Sequence, residues 1–371
     1  MALFDAPSLF ILKTVMALAT SSSNSTFGDL DLRYMPAYSW CSESKQWRDA
    51  SVADSSIFQP VYWNETQELK CATFNVLFDI YQNNIVQSDI RYAVQIRMLE
   101  KLQLDVLSLN EMTPPYLVKF MNEKWVQDNY YISETETGEK KESGHSTIVP
   151  YGNLLMLSKH KFNNVKFLKY KFSNPSTFSR RAVLSLATLK TSSGQDINIC
   201  FGSVHLKAKK ECFDTRKKQC QELYTIAKYL IEKNFCKELI YLGDWNLNMP
   251  FETHFISHNK EFTDLWLKHY DIEKEEEKGF TMDATLNPMI EKMNPGDTGK
   301  RLRLDRVVQW NSNNESILKC SSIKLFATNS VKKLLRNKLL FTEEEAKNHL
   351  ILSKDYLYCS DHFGIYFTLR V

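Results

Sequence analysis

The 371-residue sequence lacks several features that would place it in a special class of protein. Its eight cysteines form no C-x-x-C pair and no closely spaced series, which argues against a disulfide scaffold and favours a reducing compartment. The net charge is only +3, so nucleic-acid binding has no support from bulk charge and would need a local basic patch. With 43% hydrophobic and 25% charged residues, the composition is that of an ordinary soluble globular protein.

The beginning of the chain lacks a long uninterrupted apolar stretch. Residues 8–20 are apolar, but Lys13 interrupts them and no basic residue precedes them. The segment is too short to cross a bilayer and has no charged leader of a secretory signal. We expect a docked amphipathic helix, with an organelle-targeting segment as the alternative. The protein is therefore expected to be intracellular, in the cytoplasm or nucleus, not secreted, and without a membrane span.

The remaining pattern divides the chain into two parts. Residues 1–66 carry scattered aromatic side chains and predict an N-terminal extension that packs on a larger body, residues 67–371. In that body, short apolar runs predict strands at 71–77, 104–109, 153–157, 182–189, 196–206, 238–242, 304–310 and 363–369. Apolar residues at helical spacing predict helices at 90–102, after Thr113 and Pro114, and at 215–235. Strands interspersed with helices predict a layered α/β domain.

One stretch combines a strand signal with polar chemistry. The apolar run 238–242 is interrupted at Gly243, where the backbone can turn sharply, and is followed by Asp244, Trp245 and Asn246. Asp244 and Asn246 project to the same side of an extended backbone. A carboxylate beside an amide suits the orientation of a nucleophilic water or the binding of a hard cation, although such a pair also favours simple turns.

Other polar residues stand at or beside predicted strand ends. They are Asn75, Glu111, His205, Asp305, Asp361 and His362. Taken singly, each has a structural explanation, such as a turn for Asn75 or a hydrogen-bonded core position for His205. Together and in this order, they resemble the motifs of the endonuclease/exonuclease/phosphatase superfamily, which includes exonuclease III-like nucleases, inositol polyphosphate 5-phosphatases and deadenylases.

The resemblance extends over residues 70–371 and implies a fold and a catalytic set. The fold would be α/β (α+β), a DNase I-like four-layer sandwich of two packed mixed β-sheets flanked by helices. The catalytic residues would be Asp244, His362, His205, Asp305 and Asn246. In these roles Asp244 activates water, Asn246 holds that water or the phosphate, and His205 donates to a phosphate oxygen. His362, oriented by Asp305, stabilises the charge that develops on the phosphate.

The resemblance also implies a divalent cation, Mg²⁺ or Mn²⁺. Its ligands would be Glu111, Asp361 and Asn75, oxygen donors of the kind that Mg²⁺ accepts together with several waters. A rival metal site would use His254 and His258, four residues apart. A zinc hydrolase motif needs a glutamate directly after the first histidine, where Phe255 stands, so this alternative is disfavoured.

A polyanionic substrate has some support from the side chains around these motifs. The candidate substrate-binding residues are Asn75, Asn246, Arg180, Arg181, Lys207 and Trp245. Further basic residues follow at 209–210 and 216–218, and a solvated helix start explains them equally well. Trp245 could stack on a base or pack under the sheet, and packing is favoured.

Two branches of the superfamily share motifs with this chain. TFNVLFDIY at 73–81 resembles the deadenylase and Angel-like branch, whereas GFTMDATLNPM at 279–289 followed by RLRLDRV resembles the tyrosyl-DNA phosphodiesterase 2 branch. The chain departs from the family pattern at Asn110, where a glutamine is usual. It departs from the phosphodiesterase branch at Met282, where a tryptophan is common, and after His205 and Leu206, where that branch has a serine and this chain reads Lys207 and Ala208. The expected activity is metal-dependent hydrolysis of phosphodiesters in nucleic acid, at a DNA or RNA end. The alternatives are a phosphatase on a small phosphorylated molecule or inositol phosphate, and an inactive binding module; the oligomeric state stays open.

Overall fold

The computed structural model describes residues 26–27, 30–50, 68–79, 83–135, 148–173, 180–190, 196–270, 279–310 and 316–370. The predicted amphipathic segment 8–20 lies outside these described residues. None of the described helices is both long enough and apolar enough to cross a membrane.

The predicted alternation of strands and helices is confirmed, with most boundaries within two or three residues. Strands β1–β9 are Thr26–Phe27, Leu30–Met35, Tyr38–Cys41, Gln46–Asp49, Leu69–Asn75, Val106–Met112, Tyr130–Ile132, Gly152–Ser158 and Phe162–Lys171. Strands β10–β18 are Arg181–Lys190, Asp196–His205, Glu238–Asp244, Phe262–Asp264, Met282–Asp283, Arg301–Leu302, Asp305–Trp310, Lys319–Phe326 and Gly364–Arg370. Helices α1–α10 are Asn83–Val86, Ser88–Leu102, Pro114–Met121, Lys124–Asn129, Phe213–Glu232, His254–Ser257, Leu265–His269, Pro288–Met293, Val331–Leu335 and Glu343–Leu352. Single turns of 3₁₀ helix lie at Lys210–Cys212, Pro250–Thr253 and Pro295–Asp297.

Two eight-stranded sheets form the body of the domain. The first has the strand order β1-β2-β9-β10-β11-β12-β16-β13 and the second β17-β18-β5-β6-β8-β7-β3-β4, with a separate β14-β15 ribbon. Each sheet is mixed, because β11 runs parallel to β12 and β5 parallel to β6 whereas their other described neighbours are antiparallel. The expected pair of mixed sheets is confirmed.

Three hydrophobic clusters separate four layers. Along β12, Ile240 and Leu242 join the cluster between the sheets, whereas Leu239 and Tyr241 join the cluster under helix α5. This alternation follows from the two-residue period of a strand, and it explains why the run is apolar at every position. On the far side, Phe74 and Leu109 join a third cluster with the helices that cover the second sheet. The order is therefore helices, sheet, sheet, helices.

The strand register brings the predicted site residues to one rim. His205 is paired with Asp244 across the parallel strands β11 and β12, and Asp244 is paired with Asp305 across β12 and β16. In the other sheet, Asn75 is paired with Asn110 at the ends of β5 and β6. Since β16 and β18 run antiparallel to these strands, their first residues meet the last residues of the others.

Residues 30–49 add strands to both sheets. Strand β2 pairs with β9 in the first sheet, and β3 pairs with β7 and β4 in the second. This segment therefore lies on the edges of the sandwich, where its backbone groups complete two otherwise open edges.

Candidate active site

Asp244 is the most tightly held carboxylate at the rim. Its Oδ1 accepts a hydrogen bond of 2.9 Å from the backbone N–H of Asn246, and its Oδ2 accepts one of 3.1 Å from the side-chain amide of Asn75. Burial raises the pKa of Asp244 to about 6; Asp305 adds to this shift, and His362 opposes it. A carboxylate with such a pKa is poised to take a proton near neutral pH.

Asn246 also holds the loop that contains His205. Its side-chain amide donates to the carbonyl of Leu206 at 3.1 Å, and its own backbone has a positive φ of 51°. Glu111, at a bulge in β6, has a positive φ of 62°. Left-handed backbone costs on the order of 1 kcal/mol for such residues and is concentrated at functional sites, which supports a functional role for both positions.

His205 lies between a cation and two carboxylates. Its Nε2 is 3.4 Å from Oδ2 of Asp244 and 3.8 Å from Oε1 of Glu111, while its Nδ1 contacts the guanidinium of Arg180. Because a guanidinium only donates, Nδ1 is the acceptor and Nε2 carries the proton. Burial, together with the charges of Arg180 and His362, lowers the pKa of His205 well below 6.5. His205 is therefore a neutral donor aimed at the carboxylates.

His362 has the opposite charge state. Its Nδ1 is 2.7 Å from Oδ2 of Asp305, a buried carboxylate, and its backbone N–H donates to Ser360 at 3.1 Å. Burial alone would lower the pKa of His362, but Asp305 and Asp361 outweigh it and raise that pKa well above 6.5. The rim thus holds one neutral and one positively charged imidazole. Histidines with pKa values pushed apart in this way are suited to different roles.

Glu111 and Asp361 form the hard-donor side of the site. Oε2 of Glu111 accepts a hydrogen bond of 3.2 Å from the backbone N–H of Phe78, and Asp361 accepts one of 3.2 Å from Ser360. Burial and the nearby charge of Asp361 raise the pKa of Glu111 to about 7. Two carboxylates that disfavour each other's charge are stabilised by a cation between them.

The donor chemistry fits Mg²⁺ or Mn²⁺. Among the described residues, no three His, Cys, Asp or Glu side chains are grouped closely enough to hold an ion by themselves. Mg²⁺ is commonly held by one or two carboxylates and several waters, which Glu111 and Asp361 could provide with the amide of Asn75 nearby. His254 and His258, the rival pair, lie on the exposed surface of α6 with ring centroids 5.5 Å apart and have no third ligand within the described part of the chain.

Asn110 supports the site from between the two sheets. Its Oδ1 accepts the backbone N–H of Asp244 at 3.0 Å, and its amide donates to Asn153 at 3.0 Å. A Cβ added at Gly243, where φ is +144°, would lie only 2.0 Å from the carbonyl oxygen of Val204. Asn110, which stands where a glutamine is usual, therefore positions Asp244.

Two aromatic residues that the sequence did not single out border the site. Phe78 and Tyr151 stack with ring centroids 4.6 Å apart and planes inclined by 15°. The guanidinium of Arg180 lies 5.4 Å from the centroid of Tyr151, within the range of a cation–π contact. Phe78, Tyr151 and Arg180 are distant from one another in the chain. No local sequence pattern therefore predicts that their side chains meet beside the site.

The predicted basic residues differ in what they contact. Arg180 contacts His205 directly. At Arg181, the first residue of β10, burial lowers the pKa of the guanidinium, and the charge of Glu134 opposes this shift. The backbone N–H of Lys207 donates a hydrogen bond of 2.9 Å to Oε1 of Gln219. Arg216, one of the further basic residues at 216–218, is instead fully buried in an ion pair of 2.7 Å with Glu252.

The interpretation of Trp245 as a base-stacking residue is wrong. Its side chain is fully buried in the cluster under α5 and packs edge-on against Tyr241, with centroids 6.2 Å apart. The reason is the two-residue period of the strand: Asp244 faces the rim, so the next side chain turns to the helix side. The alternative of packing under the sheet is confirmed.

No family model matches the chain, and no curated protein matches it in sequence. Among solved structures, D. rerio TDP2 complexed with a single-strand DNA product is similar, with a TM-score of 0.56 and 20% identity over 82% of this chain and 100% of that one.

Two bacterial structures are similar to the same extent. An endonuclease/exonuclease/phosphatase family protein from Bacteroides thetaiotaomicron has a TM-score of 0.55 and 13% identity over 82% of this chain and 97% of that one. A mannosyl-6-phosphatase from the same species has a TM-score of 0.54 and 13% identity over 82% of this chain and 100% of that one. The predicted fold is thus confirmed: the chain has the DNase I-like sandwich of two mixed sheets that these structures share, one of which is an endonuclease/exonuclease/phosphatase family protein.

Proposed function

We propose that this protein is a divalent-metal-dependent phosphodiesterase that hydrolyses phosphodiester bonds in nucleic acid, acting at a DNA or RNA end. The observation that supports this most is the arrangement at the rim: Asp244 held by Asn75, with His205 within 3.4 Å, beside the 2.7 Å pair of His362 and Asp305. We also propose, as the sequence predicts, that residues 67–371 form the catalytic domain and that residues 1–66 pack on it.

Asp244 orients the attacking water and accepts its proton. Both of its oxygens are already engaged by hydrogen bonds from Asn246 and Asn75, which fix the plane of the carboxylate. A fixed base spends no free energy on reorientation when the reaction occurs. Nε2 of His205, which carries the proton, lies 3.4 Å from the same carboxylate and can donate to a phosphate oxygen that is bound beside the pair.

His362 stabilises negative charge on the phosphate. Its Nδ1–H is committed to Asp305, so its Nε2–H is the proton that faces a substrate oxygen. The carboxylate of Asp305 keeps the imidazole charged and fixes its ring plane. Arg180, whose guanidinium contacts His205, adds a second positive charge to the site.

Glu111, Asp361 and Asn75 hold the cation in this proposal. When bound, Mg²⁺ or Mn²⁺ supplies positive charge that stabilises the negative charge developing on the phosphoryl oxygens. Glu111 is positioned for this by the backbone N–H of Phe78, and its neighbour Asp361 by Ser360.

The choice of nucleic acid has two supports. One structure with the same fold, D. rerio TDP2, holds a single-strand DNA product. Lys207, Lys209 and Lys210 follow His205 directly, so basic side chains adjoin the rim.

A second candidate function, a phosphatase on a small phosphorylated molecule, is favoured by the similar fold of the mannosyl-6-phosphatase. An inactive binding module is disfavoured because every position of the set is filled by a residue able to play its role.

All eight cysteines are free thiols in the structure. We propose on this basis an intracellular location, in the cytoplasm or nucleus, where thiols stay reduced.

A substrate panel tests the proposal. Purified protein with Mg²⁺ is incubated with 5′-tyrosyl DNA, poly(A), mismatched duplex, inositol phosphates and sugar phosphates, alongside the Asp244→Asn variant as the matched control. We expect hydrolysis of at least one nucleic-acid substrate and its loss in the variant. Hydrolysis of the small phosphates alone would favour the phosphatase, and hydrolysis of none would favour the inactive module.

A further inference from the structure

We propose that a ledge beside the active site, formed by residues 206–217 and 246–255, binds the nucleobases of a single strand next to the scissile phosphate. This inference rests on the proposed function and assigns a new part of the surface to it. Apart from Asn246, the ledge contains no residue of the catalytic set and no metal ligand.

The ledge is joined directly to the rim. Its two segments leave the neighbouring strands β11 and β12 just after His205 and Asp244. The backbone N–H of Leu206 donates to the carbonyl of Asp244 at 2.9 Å, and the amide of Asn246 returns a bond to the carbonyl of Leu206 at 3.1 Å. The ledge is therefore attached through its backbone to the two strand ends that carry His205 and Asp244.

A buried ion pair makes the ledge rigid. The guanidinium of Arg216 binds Glu252 and also donates to the carbonyls of Lys207 at 2.9 Å and Lys209 at 2.6 Å. Glu252 in turn accepts the backbone N–H of Met249 at 2.8 Å. Both charged side chains are completely buried, so one ion pair fixes the backbone of the two segments together. A fixed backbone lowers the entropy lost when a flexible strand is bound.

The outer face of the ledge is aromatic and exposed. Phe213 is 39% exposed, Met249 38% and Phe251 47%, although such side chains are usually buried. The rings of Phe213 and Phe251 meet edge to face with centroids 6.0 Å apart, and Phe251 meets Phe255 in the same way at 6.4 Å. Contiguous exposed apolar surface marks an interaction site, and each ring presents a face on which a base can stack.

The positive charge around these rings favours single-stranded nucleic acid as the ligand of the ledge. Residues 207–218 contain five lysines against the two carboxylates Glu211 and Asp214, with Arg216 used in its ion pair. Aromatic side chains interleaved with lysines are the combination that binds single-stranded nucleic acid, since rings stack on bases while ammonium groups neutralise phosphates. A purely apolar partner surface would leave these lysines unused, and an anionic membrane would have no reason to adjoin the catalytic rim.

Binding of matched oligonucleotides tests the ledge. Fluorescence anisotropy, in EDTA so that no hydrolysis occurs, compares a single-stranded DNA with a strand of the same length that is abasic at its first three nucleotides. We expect the Phe213→Ala/Phe251→Ala variant to bind the normal strand at least about 5-fold more weakly than wild type, since a stacked base contributes about 1–3 kcal/mol. The abasic strand should bind both proteins equally, and Phe213→Tyr/Phe251→Tyr should restore most of the loss. Leu339→Ala, at a side chain 81% exposed beyond the opposite sheet, is the matched control and should bind as wild type does.

Three results would overturn the ledge. They are equal weakening on both strands, no weakening on either, and a loss of binding to anionic phosphatidylserine vesicles with oligonucleotide binding intact. Failure of the proposed function is distinguished by a separate measurement, because wild-type protein that binds bases but hydrolyses none of the phosphoesters in the panel would refute the enzyme and leave the ledge.

Discussion

The Nδ1 atom of His362 lies 2.7 Å from Oδ2 of Asp305, although the two residues are 57 positions apart in the chain. Asp305 begins β16 and His362 precedes β18, so the pair forms only when the two sheets pack together. Formation of this pair therefore depends on the complete sandwich.

Asp305→Asn should lower the rate of phosphodiester hydrolysis about 10²–10³-fold, comparable with the loss of one hydrogen-bond donor to a developing oxyanion. An amide keeps the volume of the carboxylate but cannot stabilise a positive imidazole. The measurement is kcat on bis-p-nitrophenyl phosphate, with circular dichroism to verify the fold. Asp355→Asn, at a side chain 93% exposed, is the control and should keep the wild-type rate. An unchanged rate in Asp305→Asn would remove His362 from the mechanism.

Asn110→Ala should slow hydrolysis about 10-fold or more and lower the free energy of unfolding by about 1–3 kcal/mol. The backbone N–H of Asp244 would lose its 3.0 Å acceptor and stay buried without a partner. Denaturant unfolding and kcat measured on one preparation give both numbers. Asn110→Asp retains an acceptor oxygen and should recover part of the activity; equal activity of wild type and Asn110→Ala would show that Asn110 does not position Asp244.

Gly243→Ala should be among the most damaging single changes in the domain, because the new methyl group would lie 2.0 Å from a backbone oxygen. We expect a loss of at least about 3 kcal/mol in the free energy of unfolding, or no folded protein at all. Gly299→Ala is the matched control, since its φ is also positive at +69° but nothing lies within 4 Å of the added carbon. Its cost should be about 1 kcal/mol. Equal costs at the two positions would mean that backbone conformation alone requires Gly243.

Asp264→Asn should lower the free energy of unfolding by about 3–5 kcal/mol near neutral pH, because two buried arginines would lose their carboxylate. Asp264 contacts Arg303 at 2.7 Å and Arg306 at 3.0 Å. Burial alone would raise the pKa of Asp264, but the two arginines lower it below 3.8. Because the folded-state pKa is lowered, the contribution is fully present above the unfolded-state pKa and is lost as the pH falls from there through the folded-state pKa. The stability gap between wild type and variant, followed by urea unfolding from neutral to acid pH, should therefore be constant above about pH 4 and narrow below it. A gap that does not change with pH would argue against the ion pair.

Much of the fold could be predicted because buried strands have a strong local signature. The runs around β11 and β12 are apolar at nearly every position, since both faces of these strands pack against a cluster. Thr113 before Pro114 gave the start of α3 correctly. Strand β9, Phe162–Lys171, was missed because its lysines and asparagines interrupt the apolar pattern, and its position depends on pairing with β10.

The site could be predicted only as far as its motifs are local. Asp244 and Asn246 lie within three consecutive residues, and His362 directly follows Ser360 and Asp361, so both motifs can be recognised locally. A single sequence gives no signal for contacts between separate strands. The stacking of Phe78 on Tyr151 and the hydrogen bond from Asp244 to Asn110 are contacts of this kind. Trp245 was included among the candidate substrate-binding residues, although packing under the sheet was favoured, because the sequence does not show which side of β12 is covered by a helix.

The rate of bis-p-nitrophenyl phosphate hydrolysis as a function of Mg²⁺ concentration, measured for wild type and Glu111→Gln, tests the central claim most directly. If Glu111 holds the cation, the wild-type rate saturates with Mg²⁺ and disappears in EDTA, whereas the variant needs more Mg²⁺ and is slower by about 10²-fold or more. Wild-type activity that persists undiminished in EDTA, or a Glu111→Gln variant with the wild-type rate and Mg²⁺ dependence, would contradict it.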